Sequence, residues 1–158
     1  MKIKTRELSG IKLDYAVAKA VGGTDFHTDG ITWAFELGLR SRVLTPGWKL
    51  MSFCPSRDWA DGGPLIAEHN ITLIRADDDY AVDAEGFTTN RRIPQWWGEC
   101  DRWIGHNLYT SWEGEHMDPS FIIRDDLGLY GTTPLEAAMR ALVNHKLGAE
   151  VEIPKDLK

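Results

Sequence analysis

Apolar residues recur at helical spacing near both ends of the chain, and between those ends the pattern shortens to strand-like runs. Leu13, Ala16, Val17, Ala20 and Val21 return to one face every three or four residues, which predicts an amphipathic helix over 11–21. In this reading Lys12, Asp14 and Lys19 face solvent, Ser9 is the N-cap, and Gly22-Gly23 supply the stop. A second helix begins at Thr133-Pro134-Leu135-Glu136, with a capping hydroxyl, a first-turn proline and a Glu three residues after the cap. Leu135, Ala138, Met139, Leu142 and Val143 form its apolar stripe. Lys146 stands in its last turn, where a cation complements the helix dipole, and Gly148 ends it. An extended tail runs from Val151 to Ile153, before Pro154.

Between the helices, Ile31–Leu37 alternates and is rich in β-formers, which predicts a strand. A second strand is expected over 49–53, after the Thr45-Pro46-Gly47 turn, and short ones over 71–74 and 121–123. Pro64–His69 reads as one or two helical turns. There is no internal repeat and no low-complexity linker. The expectation is one α+β domain over 1–158, a small and mainly antiparallel sheet flanked by an N-terminal and a C-terminal helix.

Composition narrows the function classes. With 42% hydrophobic and 27% charged residues the chain is globular in character. Its formal net charge is −6, and basic residues concentrate only at Lys2, Lys4 and Arg6 and at Arg91-Arg92. That distribution argues against a duplex nucleic-acid partner, which needs a basic stripe. Cys54 and Cys100 are too few for a disulfide scaffold and lack metal-ligand spacing. The opening residues lack the apolar core of a signal peptide, and no apolar run approaches the ~18 residues of a membrane span. A cytoplasmic protein with reduced thiols and no membrane partner is expected.

Candidate chemistry centres on Pro55-Ser56-Arg57-Asp58-Trp59-Ala60-Asp61-Gly62-Gly63-Pro64-Leu65-Ile66. Gly62 and Gly63 suit a turn with unusual backbone angles, and Pro64 suits the first position of a helix. Ser56, Arg57, Asp58, Trp59, Gly62 and Gly63 then form a binding surface: free N–H groups and Arg57 for an anion, Trp59 to stack on a base. The structural alternative has Trp59 filling the core, Asp58 capping a turn and Arg57 paired with Asp61. No phosphate-loop lysine follows the glycines. Thr132, Thr133 and Arg140 are a second candidate anion site, although the capping box alone explains Thr133 and Glu136.

Other groups read as structural. Asp77-Asp78-Asp79 lacks the spacing of a calcium loop and fits a solvated turn. His27, His69, His106, His116 and His145 are scattered without a zinc motif, so no metal and no cofactor are expected. Cys54 reads as a buried thiol. Glu99, Asp101 and Glu113 carry no complete catalytic motif. Trp96, Trp97, Trp103, Tyr109 and Trp112 fit core packing, a subunit interface or a planar-ligand pocket, in that order.

The Pro55–Ile66 segment resembles the PSxDWxxGGPII block of the NinX-like proteins, a family of unknown function encoded by tailed phages and prophages of enteric bacteria. Met1–Gly10 with Leu13-Asp14-Tyr15-Ala16-Val17-Ala18 is similar to that family's start. Thr132–Arg140 with Lys146–Pro154 is similar to its close. The stretches from about Gly23 to Lys49 and from Asp77 to Leu129 look longer and more divergent than in typical members. The resemblance implies a phage or prophage origin and a bacterial host cytoplasm, and it implies no reaction. Taken together, these readings favour a non-enzymatic accessory protein that binds a small anionic, nucleotide-like ligand and sequesters a host defence signal. The alternative is an interaction module, self-associating or seated on a host or phage protein.

Overall fold

The computed structural model describes residues 1–45, 51–75, 80–82, 88–92, 96–99 and 129–157. The first helix, α1, spans Gly10–Ala20, and α3 spans Pro134–Leu147. They pack against each other through Leu13, Ala16 and Val17 on one side and Ala138, Met139, Leu142 and Val143 on the other. Gly22 and Gly148, with φ of 89° and 92°, take the left-handed backbone that follows each helix. Ser9 occupies the N-cap position of α1, but its side chain makes no cap hydrogen bond. Asp14 does not face solvent, contrary to the expectation from periodicity. Residues 13–18 are all buried, and Asp14 is 0% exposed.

At the start of α3 the expected hydroxyl cap is present, with Thr133 Oγ1 accepting the Glu136 N–H at 3.1 Å. The reciprocal arm reaches one residue further back than a standard capping box. The Glu136 carboxylate accepts the Thr132 N–H at 2.8 Å and the Thr132 hydroxyl at 2.7 Å. Thr133→Ala is expected to lower stability by about 1 kcal/mol in a urea titration. An unchanged midpoint would show that the Glu136 arm suffices alone.

Among the described residues the named strands all pair antiparallel. β1 (Lys2–Lys4) pairs with β10 (Glu150–Glu152), so Ile3 and Val151 meet while Lys2 stands opposite Glu152 and Lys4 opposite Glu150. The basic cluster of the N-terminal segment is thus matched by acidic neighbours across the strand pair. The chain returns to this point: the Met1 ammonium donates to Ile153 O at 2.6 Å, and the Thr5 N–H donates to Ala149 O at 2.8 Å. β2 (Thr24–Thr28), β3 (Trp33–Leu37) and β4 (Arg40–Val43) form a meander. Its aromatic face closes on α1, with Phe26 stacked on Phe35 at 5.2 Å and Tyr15 against Phe26 at 4.8 Å and Trp33 at 5.8 Å.

The strand expected over 31–37 begins two residues late, because Asp29 caps the hairpin. Its carboxylate accepts the N–H groups of Ile31 and Thr32 at 2.8 and 2.7 Å, leaving Ile31 91% exposed. Of the strand expected over 49–53, residues 49 and 50 lie outside the described residues. The remainder makes a single parallel bridge to Val43, with the Val43 N–H donating to Met51 O and the Phe53 N–H to Val43 O. β5 (Thr72–Arg75), β8 (Trp96–Glu99) and β9 (Tyr130–Gly131) form a second three-stranded sheet, covered by α3. β6 (Tyr80–Val82) and β7 (Thr88–Arg92) form a separate pair. The strand expected over 121–123 lies outside the described residues. The fold is α+β and antiparallel, as the residue pattern predicts, and the described strands form several small sheets where one was expected.

Candidate functional site

The signature segment folds differently from the turn that its glycines suggest. A tight turn comes first, with Cys54 O accepting the N–H groups of Arg57 and Asp58 at 2.9 and 2.8 Å. Helix α2 then runs from Trp59 to Glu68, capped by Asp58, whose carboxylate accepts the Ala60 N–H at 2.9 Å. The helix expected over 64–69 therefore starts five residues earlier and passes through the glycine pair. Pro64 stands in the second turn and not at the helix start, so it has no N–H to offer the Ala60 carbonyl.

This corrects the expectation of free glycine amides. The Gly62 N–H donates to Asp58 O at 2.9 Å, and Gly63 lies inside the helix. Gly62 is small for a packing reason. A Cβ there would run into the Pro55 carbonyl and come within 2.7 Å of Leu135 Cδ2, because α2 crosses the first turn of α3 at this point. The pair therefore offers no anion cradle.

Two carboxylates, Asp14 buried and Asp61 half-buried, fix the corner. Asp14, from α1, accepts the Ser56 N–H at 2.9 Å and the Arg57 guanidinium at 2.7 Å. Burial pushes its carboxyl above the ordinary value, and the Ser56 N–H and the Arg57 charge offset only part of that. Asp61 accepts the Arg42 guanidinium at 2.7 Å and the Cys54 N–H at 2.8 Å. Arg42 also reaches Ser52 O and lies over the Phe53 ring, 5.4 Å from its centroid. Arg57 thus pairs with Asp14, not with Asp61. Asp58 is a cap, as the structural alternative had it, whereas Trp59 does not fill the core. The indole is 57% exposed and the Arg57 side chain 42%, so these two remain at the surface of a rigid corner. Ser56 is buried, 5% exposed, and contributes its backbone N–H to Asp14.

The second candidate is filled from within. Arg140 donates to Glu136 at 2.8 Å and to Leu8 O at 2.8 Å, and Thr132 and Thr133 are engaged with Glu136 as described. Where an external anion was expected, the Glu136 carboxylate already sits. α2 and α3 touch through Gly62 and Leu135.

Cys54 is buried and its thiol is pushed up to about 11, chiefly by burial and then by the Asp14 charge, which leaves no thiolate at neutral pH. Among the described residues no three His, Cys, Asp or Glu side chains gather as a metal site. Among the same residues no helix is long and apolar enough to cross a membrane. Asp77-Asp78-Asp79, Cys100, Asp101, Trp103, His106, Tyr109, Trp112, Glu113 and His116 lie outside the described residues, and Trp96, Trp97 and Glu99 belong to β8.

Asp14 and Arg42 are the residues that pattern reading missed. A signal for the first exists: Leu13–Ala18 carries one charged residue among five that suit a helix buried on all sides. Through Asp14 two of the segments that carry the family resemblance, 13–18 and 55–66, are one physical unit. No curated protein sequence matches the chain. The family described as Bacteriophage P22, NinX matches residues 4–93, a span that includes both segments and stops short of the resemblance noted at 132–154. That match covers more than half of the 158 residues, and the chain belongs to the phage P22 NinX family.

Proposed function

We propose that this phage NinX-family chain acts by binding and not by chemistry, as an accessory protein that grips a protein surface through Trp59. One observation carries the reading: the indole is 57% exposed on the first turn of a helix whose start is immobilised by Asp58, Asp14 and Asp61. An exposed Trp held rigidly gives a large contact area at low entropic cost, which is why Trp and Arg dominate the energetics of interfaces. Trp59→Ala is expected to leave the unfolding midpoint within about 0.5 kcal/mol of the parent, as for other exposed sites. The same change abolishes the stoichiometric partner recovered on the tagged chain from phage-infected cells. Equal recovery with and without the indole sinks the proposal.

A second reading keeps the small nucleotide-like ligand, since the half-exposed Arg57 stands two residues from the indole and offers a cation beside a stacking face. Adenine nucleotides or cyclic dinucleotides at a hundred times their dissociation constant would then add about 2.7 kcal/mol of stability. A flat thermal response across that panel removes this reading and leaves the first intact.

A further inference from the structure

Among the described residues the outer half of α2 is an exposed, mostly apolar face with an acidic end. Gly62 and Leu65 point inward and are buried, whereas Trp59, Ala60, Pro64 and Ala67 are exposed and Gly63 is half-buried. At 3.6 residues per turn these five share one side of the helix, bounded by Glu68. The helix carries no Lys, Arg or His between Trp59 and Glu68, and its last turn has no basic residue. Asp61 is already engaged by Arg42. Glu68 therefore adds a negative charge to the end where the helix carbonyls already concentrate negative potential. Pro64 withholds an N–H from the Ala60 carbonyl on the exposed side.

We infer that this face seats an amphipathic helix of a partner protein, with a lysine or arginine of that helix set beside Glu68. The inference rests on the reading of Trp59 given above and names its partner's chemistry. Small side chains at Ala60, Gly63 and Ala67 let a second helix approach closely, with Trp59 packing over its flank. Charge decides the occupant. A second copy laid parallel on this face sets Glu68 against Glu68, and laid antiparallel it brings Glu68 to the end where Asp58 stands and Arg57 is already paired with Asp14. Neither arrangement gives Glu68 an unengaged cation, and the chain as a whole carries −6. A cationic helix complements Glu68, the carbonyl end of α2 and the net charge together.

The test places a photo-crosslinking residue at Ala67 of the full-length chain in phage-infected cells, with Ser41 on β4 as an off-face control, and identifies the joined segment by mass spectrometry. The expected product joins position 67 to a segment with apolar residues at helical spacing and a Lys or Arg on its flank. Glu68→Lys lowers its yield about fivefold, the order of one rim ion pair lost and reversed. That variant keeps its fold, because a lysine in the last turn complements the dipole. Crosslinking to another copy, to a segment without a cation, or at an undiminished yield in Glu68→Lys overturns the inference. If Trp59→Ala abolishes capture while position 67 joins nothing, the α2 face is wrong and the indole anchor stands. If Trp59→Ala changes nothing, the anchor reading itself has failed.

Discussion

Arg57→Ala is expected to cost about 3 kcal/mol at neutral pH, whereas Asp14→Asn costs only about 1 kcal/mol. The order is unusual, since the arginine is half exposed and the aspartate is fully buried. Removing the guanidinium strands a fully buried carboxylate and leaves it to Ser56 alone, whose N–H it accepts. Neutralising the carboxylate leaves an amide oxygen that still accepts that N–H, and Arg57 recovers its hydration at the surface. Combining the two changes should restore part of what Arg57→Ala loses, which a double-mutant cycle reads directly. A surface residue that served only a ligand would show no such cycle, and additive losses would refute the coupling.

The same pair sets a pH dependence. Because the Asp14 carboxyl titrates above its ordinary 3.8 in the folded chain, the native state holds that proton more tightly than the unfolded one. Its contribution to stability is complete below 3.8 and is lost as pH rises through the elevated native value. Arg57→Ala widens this window, so its deficit shrinks on acidification, and Asp14→Asn abolishes it. Urea titrations between about pH 3.5 and 7 separate the three chains. Parallel curves for parent and Asp14→Asn would exclude Asp14 as the titrating group.

Two neighbouring glycines should respond to alanine with opposite signs. Gly62→Ala is expected to destabilise by about 2 kcal/mol, since overpacking costs of 1–3 kcal/mol exceed a helix-propensity gain of about 1 kcal/mol. The new methyl meets the Pro55 backbone, which cannot yield as a flexible side chain would, and Leu135 at 2.7 Å. Gly63→Ala meets only Trp59 Cε3, at an ordinary 3.7 Å, and has no left-handed backbone to strain. It should gain up to about 1 kcal/mol. Destabilisation at both positions would indicate that the pair serves the backbone conformation first assigned to it.

These outcomes show where residue pattern suffices and where it fails. Both long helices were legible because each has a stripe, a start and a stop within its own segment. Asp58 and Thr133 were legible as caps for the same local reason. The glycine pair misled because its smallness answers to Pro55 and Leu135, and Leu135 belongs to another helix. Asp14 misled because periodicity assumes one wet face, and α1 is enclosed all round at its centre. Trp59 was expected to find a partner inside the fold or in a small ligand. What placed it outside was the Asp58 cap, which starts α2 with the indole already turned from the core.

The pairing of β1 with β10 joins residues some 150 positions apart, the Met1 ammonium reaching Ile153 across a separation of 152. Synthesis delivers β1 long before β10, so that strand has no mate until residues 150–152 have emerged. Such late closure raises contact order and slows the final step of folding. A nascent chain halted before residue 150 would leave Ile3 without Val151, its partner across the strand pair.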